Sequence, residues 1–144
     1  MARTSRRRLV RFGIAIEPQL LAQLDHWAAK HQYTNRSEAL RDLVRRELVA
    51  DEWQAGSAET MATITLVYDH HTRLLPERLT EVQHHYLRHI VSTLHVHLDH
   101  RHCLEVIVVR GRPAVLQELA GRLLAARGVK HGRLIPATTA SGLP

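Results

Sequence analysis

Thr93-Leu94-His95-Val96-His97-Leu98-Asp99-His100-Arg101-His102-Cys103 is the stretch around which the rest of the chain is arranged. Leu94, Val96 and Leu98 alternate with His95 and His97. Successive side chains of a strand point to opposite faces, so the two histidines share one face and the aliphatics pack on the other. Asp99 to His102 reads as a tight polar turn. Beyond it, Cys103, Glu105 and Ile107 alternate with Leu104, Val106 and Val108. A hairpin folded near His100 returns Cys103 to the side of His97. Two imidazoles and one thiolate then converge, a donor set that suits zinc, copper, iron or nickel and excludes magnesium and calcium. A fourth position stays open, with His84, His85, His89, His100 and His102 as candidates. The last two lie in the turn itself, too close to reach back easily.

The chain has 144 residues, of which 44% are hydrophobic and only 4% aromatic, so its cores must be aliphatic. No apolar run approaches the ~20 residues of a membrane helix, and the arginine-rich start lacks the apolar stretch of a signal peptide. A single cysteine cannot form an internal disulfide. A cytoplasmic protein in a reducing compartment is expected.

Charge is unevenly spread. Residues 1–50 hold ten Lys/Arg against five Asp/Glu, so they carry +5 of the net +6. Arg3, Arg6, Arg7, Arg8 and Arg11 crowd the first dozen residues without an acid among them. Such an arm favours a polyanion, most simply nucleic acid. Ten of the twelve histidines lie beyond residue 50. Basic residues at one end and metal donors at the other suggest two jobs.

Residues 11–16 alternate, with Phe12, Ile14 and Ile16 on one face and Arg11, Gly13 and Ala15 on the other. Glu17-Pro18 opens a helix that carries Leu20, Leu21, Leu24, Trp27 and Ala28 to about Gln32. Asn35-Arg36-Ser37-Glu38 has the form of a helix N-cap with a reciprocal Glu, and Ala39, Leu40, Leu43, Val44 and Leu48 follow on one stripe. The first strand has no partner nearby, and an unpaired strand is unstable. A second copy solves this, since two strands pair across a two-fold axis over four helices. The outer face of that ribbon, Arg11, Gly13 and Ala15 from each copy, fits a DNA major groove.

Asp51 to Met61 reads as a hinge. Beyond it come a strand, Ala62 to Tyr68, a loop with His70 and His71, and a helix from Pro76 to about Ile90. The His/Cys hairpin follows, then a helix from Ala114 to Arg127 with Gly128 as its C′ residue, and a strand from Val129 to Ile135. The order β-α-β-β-α-β is the ferredoxin-like one. Its second sheet face needs a partner, and polar and histidine side chains are expected there, with the metal at or near the seam. The class is α+β, with boundaries at 1–8 (basic arm), 9–52 (DNA-binding domain), 53–61 (linker), 62–136 (metal-binding domain) and 137–144 (tail).

Tyr33, Asn35-Arg36-Ser37-Glu38-Ala39-Leu40-Arg41-Asp42 and the Pro18-x-Leu20-Leu21 start resemble a ribbon-helix-helix repressor domain. The resemblance implies an intertwined dimer in which positions 11, 13 and 15 face bases. Asn35, Arg36 and Ser37, with Arg6, Arg7 and Arg8 of the arm, would contact the backbone. Gly13 and Ala15 lack the polar groups common on that strand, which shifts weight to Arg11 and to phosphate contacts.

Gln83-His84-His85, Ser92 to Leu98, Cys103-Leu104-Glu105, Arg127-Gly128-Val129 and His131-Gly132 resemble the regulatory domain of the nickel-responsive regulator family, NikR. The resemblance implies a homotetramer, a dimer of dimers. One square-planar Ni(II) per subunit would be held by His95, His97 and Cys103 of one subunit and His84 of another, with Tyr68, Gln83 and Glu105 as outer partners. It also implies a possible second cation site at Glu38 and Asp42. These two also serve as ordinary helical ion-pair partners. The partner would be double-stranded operator DNA, with no membrane and no small-molecule substrate, and the regulated genes would be nickel uptake genes, repressed when nickel is ample. Copper or cobalt regulation and nickel buffering are the alternatives. Enzymatic hydrolysis is not expected, because four protein donors in a plane leave no obvious place for water.

Overall fold

The computed structural model describes residues 9–144. Its elements are helices α1 (Pro18–Lys30) and α2 (Arg36–Ala55), strand β1 (Thr60–Asp69), helix α3 (Leu75–His85), strands β2 (Ile90–His97) and β3 (His102–Gly111), helix α4 (Pro113–Leu124) and strand β4 (Val129–Pro136). The chain divides into two compact units, one ending at Leu43 and the other beginning at Val44.

In the first unit, Asn35 Oδ1 accepts the Glu38 amide at 2.9 Å and caps α2, as the sequence suggested. Glu38 does not reach back to complete a reciprocal box; its carboxylate takes Arg41 at 2.6 Å. Asp25 holds the Arg36 guanidinium through two 2.7 Å bonds and joins α1 to the start of α2. Trp27 stacks on Tyr33, with ring centroids 5.3 Å apart. Among the described residues, 9–17 have no partner strand and form no strand, and Leu9, Val10, Phe12 and Ile14 are all exposed. An isolated extended segment has nothing to satisfy its backbone donors, which is why alternation alone does not make it a strand in one copy.

In the second unit, the four strands form one antiparallel sheet in the order β2-β3-β1-β4. This is the expected ferredoxin-like arrangement. β1 alternates buried and half-buried residues along its length, and β3 does the same up to Val109. The buried face, Ala62, Ile64 and Leu66 opposite Val109, Ile107 and Glu105, lies under α3 and α4. Leu75, Leu79, Leu116, Leu119 and Leu123 fill the layer between. Each such side chain stabilises the fold by about 1.5–3 kcal/mol.

Several boundaries move. Helix α2 continues through the expected linker to Ala55, because Trp53 is buried in the sheet's core and its indole N–H donates to the Ala137 carbonyl at 2.8 Å. The expected tail is tethered at its start, where the Ala137 amide donates to Met61 and Thr138 Oγ1 to Glu52 Oε2. Helix α3 ends at His85, five residues early, in a 3-10 turn over Leu87–His89 that feeds β2. Helix α4 ends at Leu124 with Ala125 as its cap, so Gly128 is not the C′ residue. With φ at +105° it turns the chain into β4, where a Cβ would also press on Thr72.

Candidate metal centre

The β2–β3 register pairs His97 with Cys103 and His95 with Glu105, and the β1–β3 register pairs Tyr68 with Cys103. One row of the sheet therefore reads Tyr68, Cys103, His97, and the next reads Leu66, Glu105, His95. Both rows lie on the helix-covered face. Polar and histidine side chains were expected on the open face; His95 and His97 are not there. The open face carries Val67, Leu104, Val106 and Val108, half-buried, and Leu94, Val96 and Ile135, exposed, with Thr63, Thr65, His131 and Arg133 on its β1–β4 side. The placement of the two histidines follows from the register. Cys103 shares its face with Ile107 and Val109, and the apolar bulk of α3 and α4 selects that face.

β2 is the sheet edge and is exposed for almost its whole length, so His95 and His97 reach solvent while Cys103 is buried. The ligand atoms of His95, His97 and Cys103 lie within 4.8 Å of one another, which one ion could bridge. Among the described residues no other group of three or more His, Cys, Asp or Glu is so gathered. The imidazole centroids of His95 and His97 are 5.1 Å apart, and His97 Nδ1 stands 3.7 Å from Cys103 Sγ. Burial pushes the Cys103 thiol up, and the carboxylates of Glu105, Asp99 and Asp69 push the same way. A soft cation at this point would relieve that cost by taking the thiolate.

Behind the donors, Glu105 is 5% exposed and both its oxygens are engaged. Tyr68 donates its hydroxyl to Oε2 at 3.0 Å and Gln83 its amide to Oε1 at 2.8 Å. The structure thus joins the three residues that the resemblance offered as outer partners. Burial and the neighbouring Glu105 hold the Tyr68 phenol well above its ordinary value, so it stays a donor. Its ring meets His95 edge-on at 6.3 Å.

His84 is exposed near the end of α3, beside His85 and outside the cluster. Two other candidates for the fourth donor are turned elsewhere: His89 Nδ1 lies 3.0 Å from the Arg110 carbonyl, and His102 Nδ1 2.8 Å from Asp99 Oδ2. The structure adds His70, whose Nδ1 lies 3.3 Å from Cys103 Sγ. The signal was present in the sequence, because His70 continues the Ile64-Leu66-Tyr68 alternation one step beyond the strand.

In the first unit, Arg11, Gly13 and Ala15 are exposed, as are Asn35, Arg36 and Ser37 at the start of α2. Arg6, Arg7 and Arg8 lie outside the described residues. The possible second cation pair is already partnered. Glu38 takes Arg41, and Asp42 Oδ2 accepts the Tyr33 hydroxyl at 2.9 Å. Among the described residues no helix is long and apolar enough to cross a membrane.

Comparison with known proteins agrees with both halves. Residues 61–137 match the model of the NikR C-terminal nickel-binding domain. Residues 10–51 match that of the ribbon-helix-helix proteins of the copG family. A protein of Solibacter usitatus is 53% identical over 131 residues, covering 91% of this chain and 94% of its own. One from Geobacter metallireducens is 50% identical over 134 residues, covering 93% and 96%, and one from Pyrococcus furiosus 50% over 131 residues, covering 91% and 95%. All three are named as nickel-responsive regulators. In the solved structure of the uncharacterized protein TM1266 from Thermotoga maritima the same fold recurs, with a TM-score of 0.51 at 15% identity over 56% of this chain and all of that one.

Proposed function

The chain belongs to the nickel-responsive regulator family, and on that premise we propose that it is a nickel-dependent DNA-binding transcription regulator that represses nickel uptake genes. The observation that carries this reading is the gathering of His95, His97 and Cys103 within 4.8 Å, in a chain whose first fifty residues match a DNA-binding ribbon-helix-helix segment.

The donor chemistry fits nickel. Two imidazoles and a thiolate are borderline and soft donors, and a fourth donor, the imidazole of His84 from a second copy, would complete a set of four for one Ni(II) per chain. When bound, the ion supplies a cross-link between copies and a positive charge beside a buried thiolate. The chain's own residues do the rest. Glu105, held by Tyr68 and Gln83, braces the strand pair at His95. The aliphatic β2–β3 side of the open face, Leu94, Val96, Leu104, Val106 and Val108, offers apolar area that a tetramer would bury. Two ribbons formed by Arg11, Gly13 and Ala15 from paired copies would then meet successive half-sites of operator DNA, with Asn35, Arg36 and Ser37 on phosphates. Metal favours DNA binding only as far as it prefers the conformer with correctly spaced ribbons. The site of action is the cytoplasm, where operator DNA is reached and a lone thiol stays reduced.

A nickel buffer would need the cluster alone; the match of residues 10–51 favours a regulator. The test is a mobility-shift titration of DNA upstream of nickel uptake genes, with and without Ni(II), and with Cu(II) as a second arm. The regulator reading expects a shift at nanomolar protein that requires Ni(II) and vanishes in His97→Ala. Retention of the shift without metal, or its loss with neither change, overturns the reading.

A further inference from the structure

Two turns close the metal end of the sheet, and they are fastened to each other. The first follows β1, where Asp69 Oδ1 accepts the His71 amide at 2.8 Å and the Asp69 carbonyl accepts Thr72 at 3.0 Å. The second joins β2 to β3, where Asp99 Oδ1 accepts the amides of Arg101 at 2.7 Å and His102 at 2.8 Å. Arg101 links the two. Its carbonyl accepts the His70 amide at 2.9 Å, and its Nη2 donates to Asp69 Oδ2 at 2.7 Å. Asp69 is 6% exposed and pairs in register with His102, one step from the Tyr68–Cys103–His97 row.

We propose that the Asp69–Arg101 pair is a positioning latch for nickel, which holds His97 and Cys103 at ligating separation before the ion arrives. The latch rests on the nickel reading above and deepens it. β2 is the sheet edge and exposed, while β3 is central and paired with β1 as far as His102, so the turn residues 98–101 project past both ladders beside Cys103 and His97. Asp99 shapes the turn internally but ties it to nothing else. Arg101 is the only side chain shown to bond from this turn to β1, and it does so on an acceptor that is almost fully buried. A buried carboxylate with two donors has little freedom, so Asp69 is a fixed anchor. The same connection draws the His70 backbone to the turn and leaves the His70 ring against Cys103 Sγ. Neither Asp69 nor Arg101 touches the ion; they act through the position of Cys103 and His97. Residues behind the donors commonly change metal affinity by about 10–100-fold.

The experiment uses the full chain and Ni(II) in competition with a chelator, with the sulfur-to-nickel absorption band and the metal-free melting temperature recorded on each sample. Arg101→Met keeps the aliphatic stem and removes the bond. It should weaken nickel binding by about 10–100-fold and reduce or shift the band. Asp69→Asn should do the same, the double variant should be no worse than either single one, and Arg101→Lys should recover most of the affinity. Wild-type affinity and spectrum in Arg101→Met would overturn the latch, as would additive losses in the double variant. A lowered melting temperature with unchanged band and affinity would mark the pair as merely structural and also overturn it. Failure of the nickel reading itself shows separately, as wild-type protein that binds no nickel tightly or binds it equally in Cys103→Ser.

Discussion

His97 and Cys103 are direct register partners across the β2–β3 ladder, with Nδ1 and Sγ 3.7 Å apart. An edge strand supplies the exposed imidazole and a central strand the buried sulfur, so the pair spans the boundary between core and solvent. The two imidazoles would offer an ion its solvent-side donors and Cys103 the donor on the core side.

Cys103→Ser tests the sulfur. The replacement is close in size to the buried thiol and keeps a polar group facing His70 and His97, so far-ultraviolet circular dichroism should be unchanged. The sulfur-to-nickel absorption should vanish and nickel-dependent DNA retention with it. A variant that binds nickel with the wild-type spectrum would remove Cys103 from the site.

Acid and base act in opposite senses on the loaded and metal-free chains. Burial and nearby carboxylates raise the thiol's pKa, so at neutral pH the metal-free thiol keeps its proton and nickel must displace it. Nickel affinity should rise about tenfold per pH unit between roughly pH 7 and 8.5, as the thiol proton becomes easier to displace. Without metal, a raised folded pKa means stability that is present below about pH 8.5 and lost as pH climbs through the folded value. Isothermal titration across pH, and urea melts of the metal-free chain, check the two signs.

Tyr68→Phe removes one of the two side-chain donors on the buried Glu105. The orphaned oxygen should cost about 1–3 kcal/mol of metal-free stability in urea unfolding. Gln83→Ala should show a related loss, and the two should be non-additive because both act on one carboxylate.

Val106→Asp places a charge on the open aliphatic face, away from the donors. Light scattering should report a smaller assembly than wild type at the same concentration, with the ribbon-paired dimer retained. Unchanged mass would mean that copies associate elsewhere.

Gly132→Ala tests a close approach. A Cβ there would collide with Leu124 Cδ2 and stand 2.8 Å from the Thr65 carbonyl oxygen of the paired strand. Backbone cannot yield as a side chain can, so β4 should loosen. Thermal unfolding should show a loss of about 1–3 kcal/mol, whereas Gly121→Ala, with open space around it, should stabilise α4 by roughly 0.5–1 kcal/mol.

The element order of the second unit, the hairpin and the three clustered donors were legible in the chain, whereas the alternation at residues 11–16 suggested a strand that one copy does not form. Alternation at His95, His97 and Cys103 is a local property, and a tight turn at Asp99–His102 leaves one register that superposes them. The Asn35 cap and the α2 start were legible for the same reason, being settled within four residues. Trp53 was not: it looks like an exposed aromatic in a polar hinge, and only the distant Ala137 carbonyl and the sheet's core show that helix α2 continues there. Which face of the sheet the helices cover was also hidden, since both faces of β3 are apolar in sequence.

By itself, then, the sequence determined which His and Cys side chains gather on one face of the hairpin, because strand periodicity and turn length act over a few residues. Tertiary structure alone decided that this face lies on the helix side, that Glu105 is gripped by Tyr68 and Gln83, and that Arg101 fastens the hairpin to Asp69. Those contacts join residues 22 to 37 positions apart. Packing of α3 and α4 against one sheet face creates them, and no local pattern encodes it.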